Sequence, residues 1–225
     1  MGEIILQAKS ISKSYSNGRN QLSVLQNFSL DVREGEIITI MGQSGSGKST
    51  ALNILGTLDQ PDAGSVFIGK HDISKMADEQ LALIRNKHIG FVFQFHHLLP
   101  EFSAIENSLM PTWINGEEGH LARANDLFEK MGLTDRRDHL PSQLSGGERS
   151  RVAVVRALIN HPAVLLADEP TGNLDEKNAN KLIDLLDEIN KDFHQAIVLT
   201  THNPQVAAIG HRQFTLENGS LTEKV

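Results

Sequence analysis

The chain has no cysteine, which removes disulfide frameworks and thiolate metal sites and is compatible with a reducing cytosol. It has no apolar run near the ~20 residues that cross a bilayer. Met1 to Lys9 carry only the short apolar stretch Ile4 to Leu6, without the basic start and long apolar segment of a secretion signal. Any membrane role must therefore come through a partner. An excess of positive charge is missing too. The net charge of -7 offers no general attraction to nucleic-acid phosphates, so direct nucleic-acid binding is not expected. None of the ten histidines stands in a zinc-protease spacing: His96 and His97 are adjacent and the others are scattered. Internal repeats, low-complexity tracts and linkers are absent.

What remains is ordinary globular composition, 39% hydrophobic and 22% charged over 225 residues, enough for one core with or without a smaller inserted lobe. Three short apolar runs, Glu36 to Met41, Ala163 to Ala167 and Ala196 to Thr201, each end in polar or glycine-rich sequence and predict a buried parallel sheet with functional groups at its C-terminal edge. Ile4 to Tyr15 and Ser23 to Val32 resemble antiparallel strands, which Gly64 to Ile68 and His88 to Gln94 can join. From Phe95 to Asn160 the pattern turns helical, as in Leu121 to Met131 and Arg149 to Ile159, and predicts an inserted helical lobe. Gln213 to Val225 predicts a hairpin about Asn218 and Gly219. The expectation is an α/β fold in one domain over 1–225: a core with an antiparallel β subdomain from 1–94 and 161–225, and a helical insertion over 95–160.

Gly42, Gln43, Ser44, Gly45, Ser46, Gly47, Lys48, Ser49 and Thr50 fit the P-loop pattern, directly after a predicted strand and before the helix-compatible run Ala51 to Leu58. The glycines let the backbone wrap so that successive N–H groups and a helix N-terminus face an anion. Lys48 then neutralises the outer phosphates, and the Ser49 hydroxyl is available to Mg²⁺. A flexible Gly/Ser loop is the bland alternative, and strand and helix context argue against it. The second apolar run leads into Asp168 and Glu169. Two acids at that edge can divide the labour of phosphoryl transfer, Asp168 holding the metal and Glu169 orienting and deprotonating the attacking water. His202 follows the third run and is either a satisfied polar residue or a sensor of the terminal phosphate. Asn86 and Lys87 lack the aspartate two positions on that a guanine-reading element needs, which favours adenine.

Ser145, Gly146 and Gly147, in LSGGERSR, open a second glycine-rich helix start able to present a hydroxyl and N–H groups to an anion, far in sequence from the first cradle. Here the chain resembles the ABC ATPase family over nearly its whole length: P-loop, Gln94 as Q-loop, LSGGE as signature, Asp168 and Glu169, Gly172 to Asp175 as D-loop, and His202. The resemblance implies a P-loop NTPase (RecA-like) core that hydrolyses Mg-ATP. It implies a second copy facing head to tail, so that each signature covers the ATP of the other's P-loop. It also implies Tyr15 stacked on adenine, Gln94 contacting Mg²⁺ or water, and Asp175 contacting the opposite subunit. Read without the family, Tyr15 is a strand residue, Gln94 a polar strand end and Asp175 an N-cap before Glu176 to Asn190. Glu148 stands where many members carry glutamine, and Asn203 where many carry aspartate.

Gln94 to Asn107, QFHHLLPEFSAIEN, with Ala167 to Asp175, ADEPTGNLD, looks like the lipoprotein-releasing branch of that family. This implies integral-membrane permease subunits at the cytoplasmic face of a bacterial inner membrane, with membrane contact only through them. MacB-like efflux and FtsE-like signalling relatives share GNLD and the compact length. Phe95, Leu98, Leu99, Phe102 and Ile105 are read equally as a partner groove or as lobe core, and Met110 and Trp113 as packing residues.

Overall fold

In the computed structural model, which describes residues 2–18 and 20–224, ten strands build two sheets. The first is antiparallel in the order β2-β1-β4-β5, from β1 (Ile4–Asn17), β2 (Asn20–Arg33), β4 (Ala63–Ile68) and β5 (His71–Asp72). The second has the order β10-β9-β3-β8-β7-β6, from β3 (Ile37–Met41), β6 (Ile89–Phe93), β7 (Val164–Asp168), β8 (Ala196–Thr201), β9 (Arg212–Glu217) and β10 (Ser220–Glu223). All its neighbours run parallel except the β9–β10 hairpin. Asn218 and Gly219, at φ 49 and 78, turn that hairpin as expected; Val225, at the end of the predicted segment, lies outside the described residues.

Continuous apolar runs mark the central strands because both their faces are covered. Ile37, Leu165, Ala167, Ile197 and Leu199 point into one buried cluster; their strand neighbours Ile38, Ile40, Val164, Leu166, Ala196 and Val198 point into a second. The period of two thus sorts one run into two cores. One expectation fails here: His88 to Gln94 does not join the antiparallel strands. Its strand, β6, pairs in parallel with β7 at the edge of the second sheet, with Val92 and Ile89 buried on opposite faces.

The helices are α1 (Lys48–Leu55), α2 (Asp78–His88), α3 (Ala104–Ile114), α4 (Leu121–Lys130), α5 (Gly146–Leu158), α6 (Glu176–Phe193) and α7 (Pro204–Ala207). Among the described residues no strand lies between Phe93 and Val164. The helices there do not enclose a core of their own. Ala104 and Leu109 of α3, Leu127 and Phe128 of α4, and Val152 and Val155 of α5 belong to the same cluster as one face of the parallel sheet. Truncating a fully buried leucine such as Leu127 should cost about 2–5 kcal/mol. Gly90 sets how closely α5 lies on β6: a Cβ there would come within 2.4 Å of the Ala157 carbonyl, so only glycine permits the approach. No described helix is long and apolar enough to cross a membrane.

α5 starts three residues before the predicted Arg149, because Ser145 caps it in a reciprocal box with Glu148. α3 begins in the same way at Ser103 and Glu106, and carries Pro111 inside it. Buried Asn107 then fixes the preceding loop, accepting from the Leu99 N–H at 2.7 Å and donating to the carbonyls of Leu99, Phe102 and Ser103. Of the apolar groups after Gln94, Ile105 is buried and Leu98 packs at the cluster edge, whereas Phe95 and Leu99 are exposed. Trp113, expected to pack, is instead 45% exposed, because it and Ile114 lie on the outward face of the last turn of α3, whose Thr112 is buried.

Candidate functional site

The cradle is built by the shortness of the link between β3 and α1. Gly47 caps α1 at φ 103, a left-handed conformation that L side chains rarely adopt, and an added Cβ would meet the Val24 carbonyl at 3.0 Å. This turn directs the first N–H groups of α1 into a cleft of about 360 Å³ whose lining includes Lys48, Ser49, Thr50, Gln94, Asp168 and Glu169. Lys48 is buried, and its ammonium donates to the carbonyls of Gly42 and Gln43 at 2.9 and 3.0 Å. Among the described residues the Ser46 hydroxyl has no hydrogen-bond partner, but it is buried beside Gly42 and does not line this cleft. A charged amine folded back on its own loop at the lining of the cleft fits a place meant for phosphate oxygens.

Asp168 and Glu169 leave β7 in different directions. Asp168 Oδ1 accepts from the Thr200 hydroxyl of β8 at 2.6 Å. Glu169 adopts φ 43, an uncommon region for a non-glycine residue, held by its N–H donating to the Thr200 carbonyl at 3.1 Å. Pro170 follows and disfavours a right-handed helical turn at Glu169. The outcome is a carboxylate shared between two groups: Oε1 lies 3.1 Å from the Lys48 ammonium and Oε2 lies 3.0 Å from His202 Nδ1. The structure thus gathers Lys48, Glu169 and His202 about one carboxylate. His202 is its open side, with a side chain 64% exposed.

Gln94, at the end of β6, donates from Nε2 to Asn173 Oδ1 at 3.3 Å, while Asn173 Nδ2 donates to the Gln94 carbonyl at 3.0 Å. Ser49, Gln94 and Asp168 offer a hydroxyl, an amide oxygen and a carboxylate, hard oxygen donors of the kind Mg²⁺ takes beside substrate phosphates. No group of three or more His, Cys, Asp or Glu able to hold a metal occurs among the described residues, so a cation here would depend on phosphate ligands.

Two sets of predicted residues lie apart from the cleft lining. Tyr15, on β1, is partly exposed and donates its hydroxyl to Asp59 Oδ2 at 2.6 Å, with the Lys13 ammonium 5.2 Å from its ring centroid. Burial and the Asp59 carboxylate raise its pKa. Ser145, Gly146 and Gly147 sit at the start of α5; an added Cβ at Gly146 would contact Leu174, and one at Gly147 would meet Asn178 Oδ1 at 2.8 Å. Asp175 caps α6, accepting from the Asn178 N–H at 3.0 Å, as the reading without the family anticipates.

Sequence reasoning missed the groups that bind these parts together. His96 Nε2 lies 2.8 Å from the Ser150 hydroxyl and 3.1 Å from the Gly146 carbonyl, and Arg156 donates to the carbonyls of His96 and His97 at 2.7 Å each. The segment after Gln94 is therefore clasped to α5. Burial lowers the pKa of His96 and of Arg156. Asn86, considered above for guanine reading, serves structure instead, donating to the Pro111 carbonyl at 2.8 Å.

Residues 25–172 match the sequence model of the ABC transporter family. The chain belongs to the ABC transporter family. It is an ATPase cassette of that family, with the P-loop α/β fold expected. The lipoprotein-releasing system ATP-binding protein LolD of Shewanella oneidensis is 48% identical over 223 residues, covering 98% of this chain and 97% of the relative. LolD of Pseudoalteromonas translucida is 46% identical, covering 100% and 97%, and LolD of Bordetella pertussis is 47% identical, covering 96% and 94%. Among solved structures, the dimeric structure of MJ0796, a bacterial ABC transporter cassette, superposes with a TM-score of 0.89 at 39% identity over 97% of both chains. A dimeric post-hydrolysis state of the MJ0796 cassette bound to ADP and Pi gives 0.89 at 38% identity, also over 97% of both.

Proposed function

We propose that this ATPase drives release of lipoproteins from a bacterial inner membrane, working at its cytoplasmic face as a pair of identical subunits beneath separate integral-membrane permease subunits. The observation that carries the reading is near-full-length identity of 46–48% to relatives named LolD. The dimeric cassettes it resembles support the pairing.

ATP is held by the loop from Gly42 to Thr50, with Tyr15 against the adenine. Lys48 must leave the Gly42 and Gln43 carbonyls and turn its charge to the outer phosphates. Ser49, Gln94 and Asp168 hold Mg²⁺, which when bound neutralises developing phosphate charge. Glu169 takes the proton of the attacking water, and His202, on the other oxygen of that carboxylate, keeps it oriented and reports the terminal phosphate. Ser145, Gly146 and Gly147 of one copy cap the nucleotide of the other, bringing N–H groups and a helix N-terminus to it.

The permease is assigned to an apolar groove of about 480 Å³, lined among others by Leu58, Phe91, Phe93, Met110, Pro111 and Ile114. Ile114 at 75% exposure and Trp113 beside it are unusual as isolated surface residues and fit a partner helix. Co-purification from membranes, followed by a lipoprotein-release assay in vesicles, tests the reading. Release that needs ATP and an intact Glu169 is expected. A partner that exports small molecules, or one that only switches a periplasmic hydrolase, would replace lipoprotein release with the efflux or signalling role.

A further inference from the structure

Glu148 differs from the family's usual glutamine, and the structure shows what it does. Its Oε2 accepts from both the N–H of Ser145, at 2.8 Å, and the hydroxyl of Ser145, at 2.7 Å. Its Oε1 accepts from Nε of Arg136 at 2.9 Å. Among the described residues Arg136 is its ion-pair partner.

A serine hydroxyl carries one hydrogen. While that hydrogen points at the Glu148 carboxylate, Ser145 cannot donate it to a phosphate. A bare carboxylate beside the start of α5 would also repel the triphosphate that this helix start must approach, partly cancelling the helix's own attraction for anions. Glutamine at the same place would form the same capping box without the charge. The chain keeps the charge and adds Arg136, which ends the 3-10 turn Thr134–Arg136 and shares the carboxylate from its far oxygen.

We propose that Arg136 is a positioning residue of the signature: it neutralises Glu148, so that Ser145 can turn its hydroxyl from that carboxylate to the triphosphate bound by a second copy of the chain. This rests on the two-copy reading above. Arg136 touches no nucleotide in this account and acts through Glu148 and Ser145.

The test uses the full chain carrying Glu169→Gln, titrated with Mg-ATP and followed by analytical ultracentrifugation, with nucleotide binding by the dilute monomer as reference. If this parent never dimerises with ATP, the two-copy reading itself fails, whatever Arg136 does. Given a dimerising parent, Arg136→Ala should lose about three- to fivefold per composite site, the scale of an exposed charge pair. With two such sites per dimer, dimerisation weakens about ten- to twenty-five-fold relative to monomer binding. Arg136→Lys should recover most of the loss. Glu148→Gln should tighten dimerisation, and adding Arg136→Ala to it should have no further effect.

A bridge that served only to hold α5 in place gives a different pattern, with Glu148→Gln weakening dimerisation as much as Arg136→Ala does. That result would overturn the proposal, as would an unchanged dimerisation in Arg136→Ala or a loss that persists in the Glu148→Gln background. Should Arg136→Ala fail to fold, the sign of the Glu148→Gln effect decides: tighter dimerisation supports the proposal and weaker dimerisation refutes it.

Discussion

Replacing Glu169 with glutamine separates two jobs that its carboxylate performs at once. In the structure that carboxylate pairs with Lys48 at 3.1 Å and with His202 Nδ1 at 3.0 Å, and it is four-fifths buried. Before nucleotide binds, it competes for the lysine that phosphates need. Bare Coulomb attraction at such a distance is about 5 kcal/mol with an effective dielectric of 20, before any solvation cost. The Gly42 and Gln43 carbonyls still hold Lys48 after the change, so most of that is not realised. A net release of about 1 kcal/mol should tighten ATP binding about fivefold. Turnover moves the other way, because an amide cannot accept the proton of the attacking water, and kcat should fall about 10²-fold or more. Phosphate-release kinetics and equilibrium binding of a fluorescent ATP analogue read the two effects separately. Near-normal phosphate release would refute the base assignment and make His202 the first replacement. Unchanged affinity would refute the competition for Lys48.

Lys48→Ala should weaken nucleotide binding itself by about tenfold or more, measured by the same equilibrium assay, since it removes the charge in the cradle. Ile114→Glu, at a position 75% exposed, should change unfolding free energy by less than about 0.5 kcal/mol yet abolish permease co-purification. Arg156→Met keeps the stem but loses the donors to the His96 and His97 carbonyls, and should cost about 2–4 kcal/mol in urea denaturation. Hydrogen bonds from the Ser145 hydroxyl and N–H, with Arg136 beside them, depress the Glu148 pKa to about 2, below its ordinary value of 4.5. A depressed acid stabilises the fold above the unfolded value. The stability difference between wild type and Glu148→Gln should therefore be constant above about pH 5 and shrink as pH falls from about 4.5 toward 2, measured by denaturation at each pH.

The parallel strands could be read from sequence because burial on both faces leaves no polar alternation to interrupt Ala196 to Thr201 or Val164 to Ala167. The same property hid where β6 belongs, since an apolar run states that a strand is covered and not which strands flank it. α3 was obscured by Pro111, although Ser103 and Glu106 carry the capping spacing that could have revealed it. Trp113 was misjudged because an aromatic side chain carries no local mark of which face of its helix meets the core, and in this turn the buried residue is Thr112. In the site, P-loop and acid positions were legible since their chemistry fixes residue type and spacing. Their supports were not: Thr200 beneath Asp168, Asn173 against Gln94, and Arg136 behind Glu148 arrive from distant segments through tertiary packing.

A second set of supports would carry an event at the proposed nucleotide site to the proposed permease groove. The loop that leaves Gln94 is held on one side by α5, through His96 to Ser150 and Gly146 and through Arg156 to two carbonyls. On its other side it is held by α3, through the buried amide of Asn107. α5 begins with the signature and α3 ends in the groove at Pro111 and Ile114. One short loop therefore has hydrogen bonds both to the helix proposed to cap a nucleotide and to the helix proposed to meet a partner. Moving Gln94 relative to α5 alone would break these bonds, at about 1–3 kcal/mol for each buried group left unpaired. Ties of this kind would let a movement of the loop at Gln94 reach a partner seated on α3.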